Sequence, residues 1–206
     1  MNTTITNIDQ LDLISGIYTY ADYLMWKIKD RLELLKGKIF KMSAPSPAHQ
    51  KVATNLTGEF YHFFKKRPCE VYVAPFDVRL PVKDEKGDKI STIVQPDLCV
   101  VCDLSKIDSK GCEGAPDLVV EILSPGNSKK EMNNKFALYE EAGVQEYWLV
   151  HPLDSFVLVY TLENGVYRPL KHFSQGNVTS VKFPELSIAI EDIFRKVNTK
   201  NEESES

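Results

Sequence analysis

The segment from Ala115 to Val150 constrains the fold of this chain more than any other. It opens with an apolar run, Leu118-Val119-Val120-Glu121-Ile122-Leu123, with Pro116-Asp117 in front and Ser124-Pro125-Gly126-Asn127 behind. A short run rich in β-branched residues and closed by turn formers reads as a buried strand. Residues 128–142 follow with helical spacing and end at Gly143, which suits the left-handed cap of a helix. Tyr147-Trp148-Leu149-Val150 then reads as a second strand. Strand, helix and strand within about 35 residues make a βαβ unit, whose strands are expected to run parallel with a right-handed crossover. The pattern predicts an α/β protein.

The rest of the chain fits around that unit. Thr19 to about Lys29 reads as a short helix with Thr19 as its N-cap. Arg31 to Met42 reads as a hairpin turning near Lys36-Gly37. A longer helix is expected from about Pro47 to Lys66, with Val52, Ala53, Leu56, Phe60, Phe63 and Phe64 at helical spacing. Strands are expected near 70–74, 76–82 and 93–102, with a polar loop over 83–88 and a polar connection over 103–114. Beyond the βαβ unit come strands at 156–162, 166–173 and about 178–183, an Asn164-Gly165 turn, and a short helix near 191–196. No repeat or linker divides the chain. The expected organisation is an N-terminal segment over 1–17, one α/β domain around a mixed sheet over 18–197, and a disordered acidic tail over 198–206.

Composition excludes several classes of function. No apolar run reaches the roughly 18 residues of a membrane span. The start of the chain has no basic stretch followed by an apolar core, so no secretory leader is expected. Cys69, Cys99, Cys102 and Cys112 are scattered, which fits a reducing cytoplasm better than a disulfide framework. The net charge of -4 argues against a protein that coats nucleic acid generally. The tail holds three of the acids, so the body is near neutral and a local basic groove remains compatible with it.

A carboxylate inside an apolar strand is costly unless it is paired or holds a metal. Glu121 is such a group, and the neighbouring strand opens with Gln95-Pro96-Asp97. Adjacent strands lie about 4.8 Å apart, so two acids at one height on one face can share a divalent cation, with Mg²⁺ or Mn²⁺ suited to hard oxygen donors. Asp117 competes for the role, but four residues along one strand separate it from Glu121 by about 13 Å, so Asp97 is preferred and Asp117 is assigned to a turn. The plain alternatives are an Asx turn at Asp97 and a buried lysine pair at Glu121. Lys135 and Tyr139 share the semi-buried face of the following helix, so Lys135 can reach Glu121; pairing with Glu131 at i,i+4 is its surface alternative. Lys129 and Lys130, in the first turn, are expected in solvent. His49 lies in line with Val52 and Leu56, where a lone histidine is usually a core residue, and Glu33 in the hairpin reads as a solvent-facing strand acid. Cys99 and Cys102 face opposite sides of a strand, so a zinc site is not expected. The chain has no phosphate-binding glycine loop and no GxSxG nucleophile elbow.

Several of these stretches together resemble the Uma-type restriction endonuclease family, which is similar to the PD-(D/E)XK nuclease superfamily. They are Arg31-Leu32-Glu33-Leu34, His49, Asp77-Val78-Arg79-Leu80, Gln95-Pro96-Asp97, the run from Ala115 to Pro125, Lys135 with Tyr139, and Gly143 to Val150. The resemblance covers about residues 18–195. It implies a restriction-endonuclease-like fold, a mixed β-sheet flanked by helices, and a Mg²⁺- or Mn²⁺-dependent endonuclease hydrolysing phosphodiester bonds in DNA. It assigns Asp97 and Glu121 to the metal, with the Ile122 backbone carbonyl as third ligand, and puts Glu33 and His49 at the site. Leu123 stands where the superfamily has its lysine; the family's relocated lysine corresponds to Lys135. His151 stands where the family usually has aspartate, just beyond the expected strand. Nucleases of this fold often pair to cut both strands, so a homodimer is compatible, although no segment announces an interface. The competing reading is a catalytically inactive nuclease-fold module that binds nucleic acid or a protein partner.

Overall fold

The computed structural model describes residues 4–83, 91–124 and 129–198, with the backbone alone for residues 129–131, 170 and 171. The expected polar loop beyond Lys83, the turn after Ser124 and the tail from 199 lie outside the described residues.

The chain begins with a 3₁₀ turn at Ile8–Gln10 and the helix α1 (Tyr20–Met25). Thr19 caps α1 in a reciprocal pair with Asp22, each satisfying a free N–H of the first turn. The expected hairpin follows as β1 (Leu32–Leu35) and β2 (Lys38–Lys41). Lys36 and Gly37 both adopt positive φ, 50° and 73°, as a two-residue hairpin turn of primed type requires. The first residues pack against this hairpin: Ile8, Leu11 and Leu32 form a small core of their own.

Next is α2 (Pro47–Phe64), with Pro47 in the first turn and the Ser46 hydroxyl accepting from the His49 N–H at 3.2 Å. Val52, Leu56, Phe60 and Phe64 are buried on one side of it, and each such apolar side chain contributes roughly 1.5–3 kcal/mol. Six strands come next: β3 (Glu70–Val73), β4 (Val78–Arg79), β5 (Ile93–Val94), β6 (Leu98–Val101), β7 (Ile107–Asp108) and β8 (Gly111–Glu113). Then come β9 (Leu118–Ile122), α3 (Lys129–Ala142) and β10 (Glu146–His151), the expected βαβ unit. Strands β9 and β10 are parallel, and Gly143 ends α3 at φ 85°. The chain closes with β11 (Phe156–Glu163), β12 (Val166–Phe173), β13 (Asn177–Thr179), β14 (Ser187–Ala189) and α4 (Ile190–Ile193).

Among the described residues the strands form two six-stranded sheets and a small pair rather than one mixed sheet. Their orders are β2-β1-β5-β4-β8-β7, β12-β11-β10-β9-β6-β3 and β13-β14. The difference starts at Pro96. The expected strand over 93–102 is two strands, one in each large sheet, joined by Gln95-Pro96-Asp97. Proline cannot donate to a ladder, so the pairing breaks there and the chain turns from one sheet into the other. Of the expected strand over 76–82 only Val78–Arg79 is laddered, the connection over 103–114 carries β7 and β8, and the strand expected over 178–183 is the shorter β13. His151 is the last residue of β10 rather than lying beyond it, and its ring stacks on Phe156.

One core lies between α2, α4 and the second sheet, where Trp148 meets Phe60 edge to face at 5.4 Å. The other joins the two sheets and α3 through Val119, Leu138, Tyr139 and Tyr147. Cys69 and Cys102 form a disulfide, which differs from the expectation of unpaired cysteines. They are 33 residues apart in sequence, but Glu70 lies opposite Val101 in the ladder, so the next position outward brings the two together. Cys99 and Cys112 are free and buried. Cys99 faces the core opposite to Cys102, as strand alternation predicts.

Candidate active site

The antiparallel register of β6 and β9 sets Leu98 opposite Val120, which leaves Asp97 level with Glu121. Both carboxylates line one cleft of about 330 Å³, together with His49, Ile122 and Lys135. Four separate parts of the fold meet there: the corner between the sheets, the end of β9, the first turn of α2 and the middle of α3.

Asp97 is held from two sides. Its Oδ2 accepts from the Ile122 N–H at 2.7 Å and lies 3.2 Å from His49 Nε2. His49 is buried, and its Nδ1 has no hydrogen-bond partner among the described residues. Because carboxylate oxygens only accept, Nε2 carries the proton in this contact. The ring is therefore a donor to Asp97 and not merely core packing.

Lys135 points inward. Its Nζ lies 3.0 Å from Glu33 Oε1 and 3.1 and 3.2 Å from the two oxygens of Glu121. One ammonium thus engages two buried acids; the side chains of Lys129, Lys130 and Glu131 lie outside the described residues. Burial disfavours the ammonium, but the charges of Glu121 and Glu33 outweigh it and raise the Lys135 pKa. The ammonium form of Lys135, a cation and hydrogen-bond donor, is thereby favoured. Glu121 shifts in the opposite sense for a carboxylate in an ion pair. Burial pushes it up, Lys135 opposes, and the charges of Asp97 and Glu33 add to the rise, so it sits at about 7 instead of 4.5. Tyr139 donates its hydroxyl to Glu121 Oε1 at 2.5 Å, and its own pKa is raised by burial and by that carboxylate.

Glu33 departs from expectation. It is 1% exposed rather than solvent-facing: all four residues of β1 are buried, and the Glu33 carboxylate meets Lys135 of α3. Its Oε1 accepts from the Gln95 N–H at 2.8 Å as well as from Lys135. Asp117 is at the other end of β9, where its Oδ2 accepts from the Cys102 N–H at 2.8 Å and its Oδ1 lies 3.3 Å from Lys182 Nζ. It stays out of the site, as its spacing predicts.

Contacts that sequence reasoning missed join residues far apart in the chain. Arg31 donates through Nε and Nη2 to Gln95 Oε1 at 3.1 and 2.9 Å, and Gln95 Nε2 donates to Asp77 Oδ1 at 2.8 Å. The polar Gln95 directly before Pro96-Asp97 was the available signal for this network. Among the described residues no three His, Cys, Asp or Glu side chains converge as a metal-holding group. The donors available to a cation are therefore two carboxylates and backbone oxygen. They are hard oxygen donors; the Lys135 ammonium meets Glu121 and Glu33 and the His49 ring meets Asp97, so three carboxylates share one ammonium and one imidazole, and a divalent cation fits the chemistry of the set.

Comparison with known proteins places the chain in a family. Residues 20–191 match the Uma2 family, described as "Putative restriction endonuclease". The chain belongs to that family. A curated relative, an uncharacterized protein of Synechocystis sp., is 25% identical over 177 residues, which is 84% of this chain and 90% of the relative. The crystal structure of a "putative nuclease belonging to DUF820" from Anabaena variabilis is similar at a TM-score of 0.67 and 22% identity, over 85% of this chain and 97% of that one. That likeness shows a shared fold, a mixed α/β architecture in a single domain. Among the described residues no helix is long and apolar enough to cross a membrane.

Proposed function

We infer that this member of the Uma2 family is a divalent-metal-dependent endonuclease acting on DNA, with residues 18–197 as its working unit. The observation that carries the reading is the convergence of Asp97, Glu121 and Lys135 at one cleft. Asp97 and Glu121, with the Ile122 carbonyl, would hold Mg²⁺ or Mn²⁺. When bound, such a cation acidifies water and polarises a phosphoryl oxygen.

The chain's own groups do the remaining work. His49 and the Ile122 N–H both grip Asp97 Oδ2, which fixes the carboxylate and leaves Oδ1 free of them. Tyr139 and Lys135 hold the Glu121 carboxylate in place from the opposite side. Lys135, kept as an ammonium by Glu33 and Glu121, would orient the attacking water and offset negative charge as it builds on the phosphate. Two copies would be needed to present one such site to each DNA strand.

Supercoiled plasmid tests the reading. Wild type should nick it in Mg²⁺ and not in EDTA, and Asp97→Ala and Glu121→Ala should lose at least about a hundredfold of that rate while remaining folded. A folded Glu121→Ala protein that cuts like wild type would refute the mechanism. Metal-independent DNA binding by a protein that never cuts would instead favour the inactive-module reading.

A further inference from the structure

We propose that Arg31 is a phosphate-binding residue of the cleft, gripping the backbone of the nucleic acid beside the carboxylates. Arg31 lines the same cleft as Asp97, Glu121 and Lys135. Its guanidinium is only partly buried, and its described partner is an amide: Nε and Nη2 both donate to Gln95 Oε1. Among the described residues no carboxylate comes within ion-pair distance of it, in contrast to Lys135, which is held by two.

The amide cannot be the other way round. A guanidinium only donates and the Asp77 carboxylate only accepts, so Gln95 must present Oε1 to Arg31 and Nε2 to Asp77. Gln95 is buried and follows the strand of the first sheet into the corner that carries Asp97. The guanidinium is thus fastened along one edge to a rigid neutral group. Among the described residues its Nη1 edge and its charge are left for another ligand. A half-buried cation aligned by a neutral amide in a cleft of acids calls for an anion, and the planar fork of arginine matches two phosphate oxygens.

This inference rests on the nuclease reading for the identity of the anion, but its test is separate. The full chain would be titrated with a fluorescent duplex oligonucleotide in Ca²⁺ at several salt concentrations, and separately with Mn²⁺ alone. Arg31→Gln should weaken DNA binding about tenfold and lower the slope of log affinity against log salt by about one, with Mn²⁺ affinity unchanged. Arg31→Lys should restore the salt slope and only part of the affinity. A folded Arg31→Gln protein with the wild-type salt slope would overturn the proposal, as would a wild type that binds Mn²⁺ but no DNA. Loss of Mn²⁺ binding in wild type, with DNA binding still dependent on Arg31, would overturn the metal site and leave this inference standing.

Discussion

Glu121 and Glu146 are buried acids on adjacent strands of one sheet, and their surroundings separate a chemical role from a structural one. Glu146 accepts from Trp148 Nε1, the Ser180 hydroxyl and the backbone N–H groups of Val181 and Lys182 at 2.6–3.1 Å, so its carboxylate is fully satisfied by neutral donors. Glu121 has one ammonium and one phenol, faces a cleft, and is pushed up to about 7. Without metal, the folded protein therefore holds the Glu121 proton more tightly than the unfolded chain does. The stability this gives is present below about pH 4.5 and is lost as pH rises through about 7. Urea unfolding in EDTA should show stability falling by about 2–3 kcal/mol between pH 5 and pH 8, and Glu121→Gln should flatten that dependence. Glu146→Gln should instead cost about 2 kcal/mol at both pH values, because an amide turns one acceptor into a donor facing other donors. In sequence, an acid inside Leu118–Leu123 draws attention, and its spacing from Asp117 and Lys135 is readable. Glu33 is not readable in this way, because its burial comes from α3 lying over the hairpin, a contact separated by 102 residues.

The elements of the βαβ unit, the hairpin and the long helix were legible because each is long enough to show a period or carries a defined turn. The short strands β4, β5, β7 and β8 have two or three residues each and show no period at all. Pro96 was visible, but its effect was not: without the partner strands there was no way to see that the ladder changes sheets at that residue. Helix α2 brings function down to a single cap. His49 sits in its first turn and its N–H is received by Ser46 Oγ. Ser46→Ala should cost about 1 kcal/mol by chemical denaturation. It should also loosen the turn that holds His49 against Asp97, read as faster amide exchange at His49 with the helix centre unchanged.

Across the molecule, the site exists because two sheets meet at a corner. The first sheet supplies Glu33 and the Arg31–Gln95 pair, the second supplies Glu121, and the corner supplies Asp97. The Cys69–Cys102 link ties the edge strand β3 to the far end of β6, the strand that begins beside Asp97. Reduction with dithiothreitol should lower stability by about 2–4 kcal/mol, from the loop of that length alone. A Cys69→Ala variant should show the same loss and no further response to reductant. The central claim is that Asp97 and Glu121 share one divalent cation, and crystals soaked in millimolar Mn²⁺ test it most directly. The anomalous difference map should show a peak about 2.1 Å from an oxygen of each carboxylate. No peak there, with Lys135 still bridging Glu33 and Glu121 and His49 still on Asp97, would contradict it.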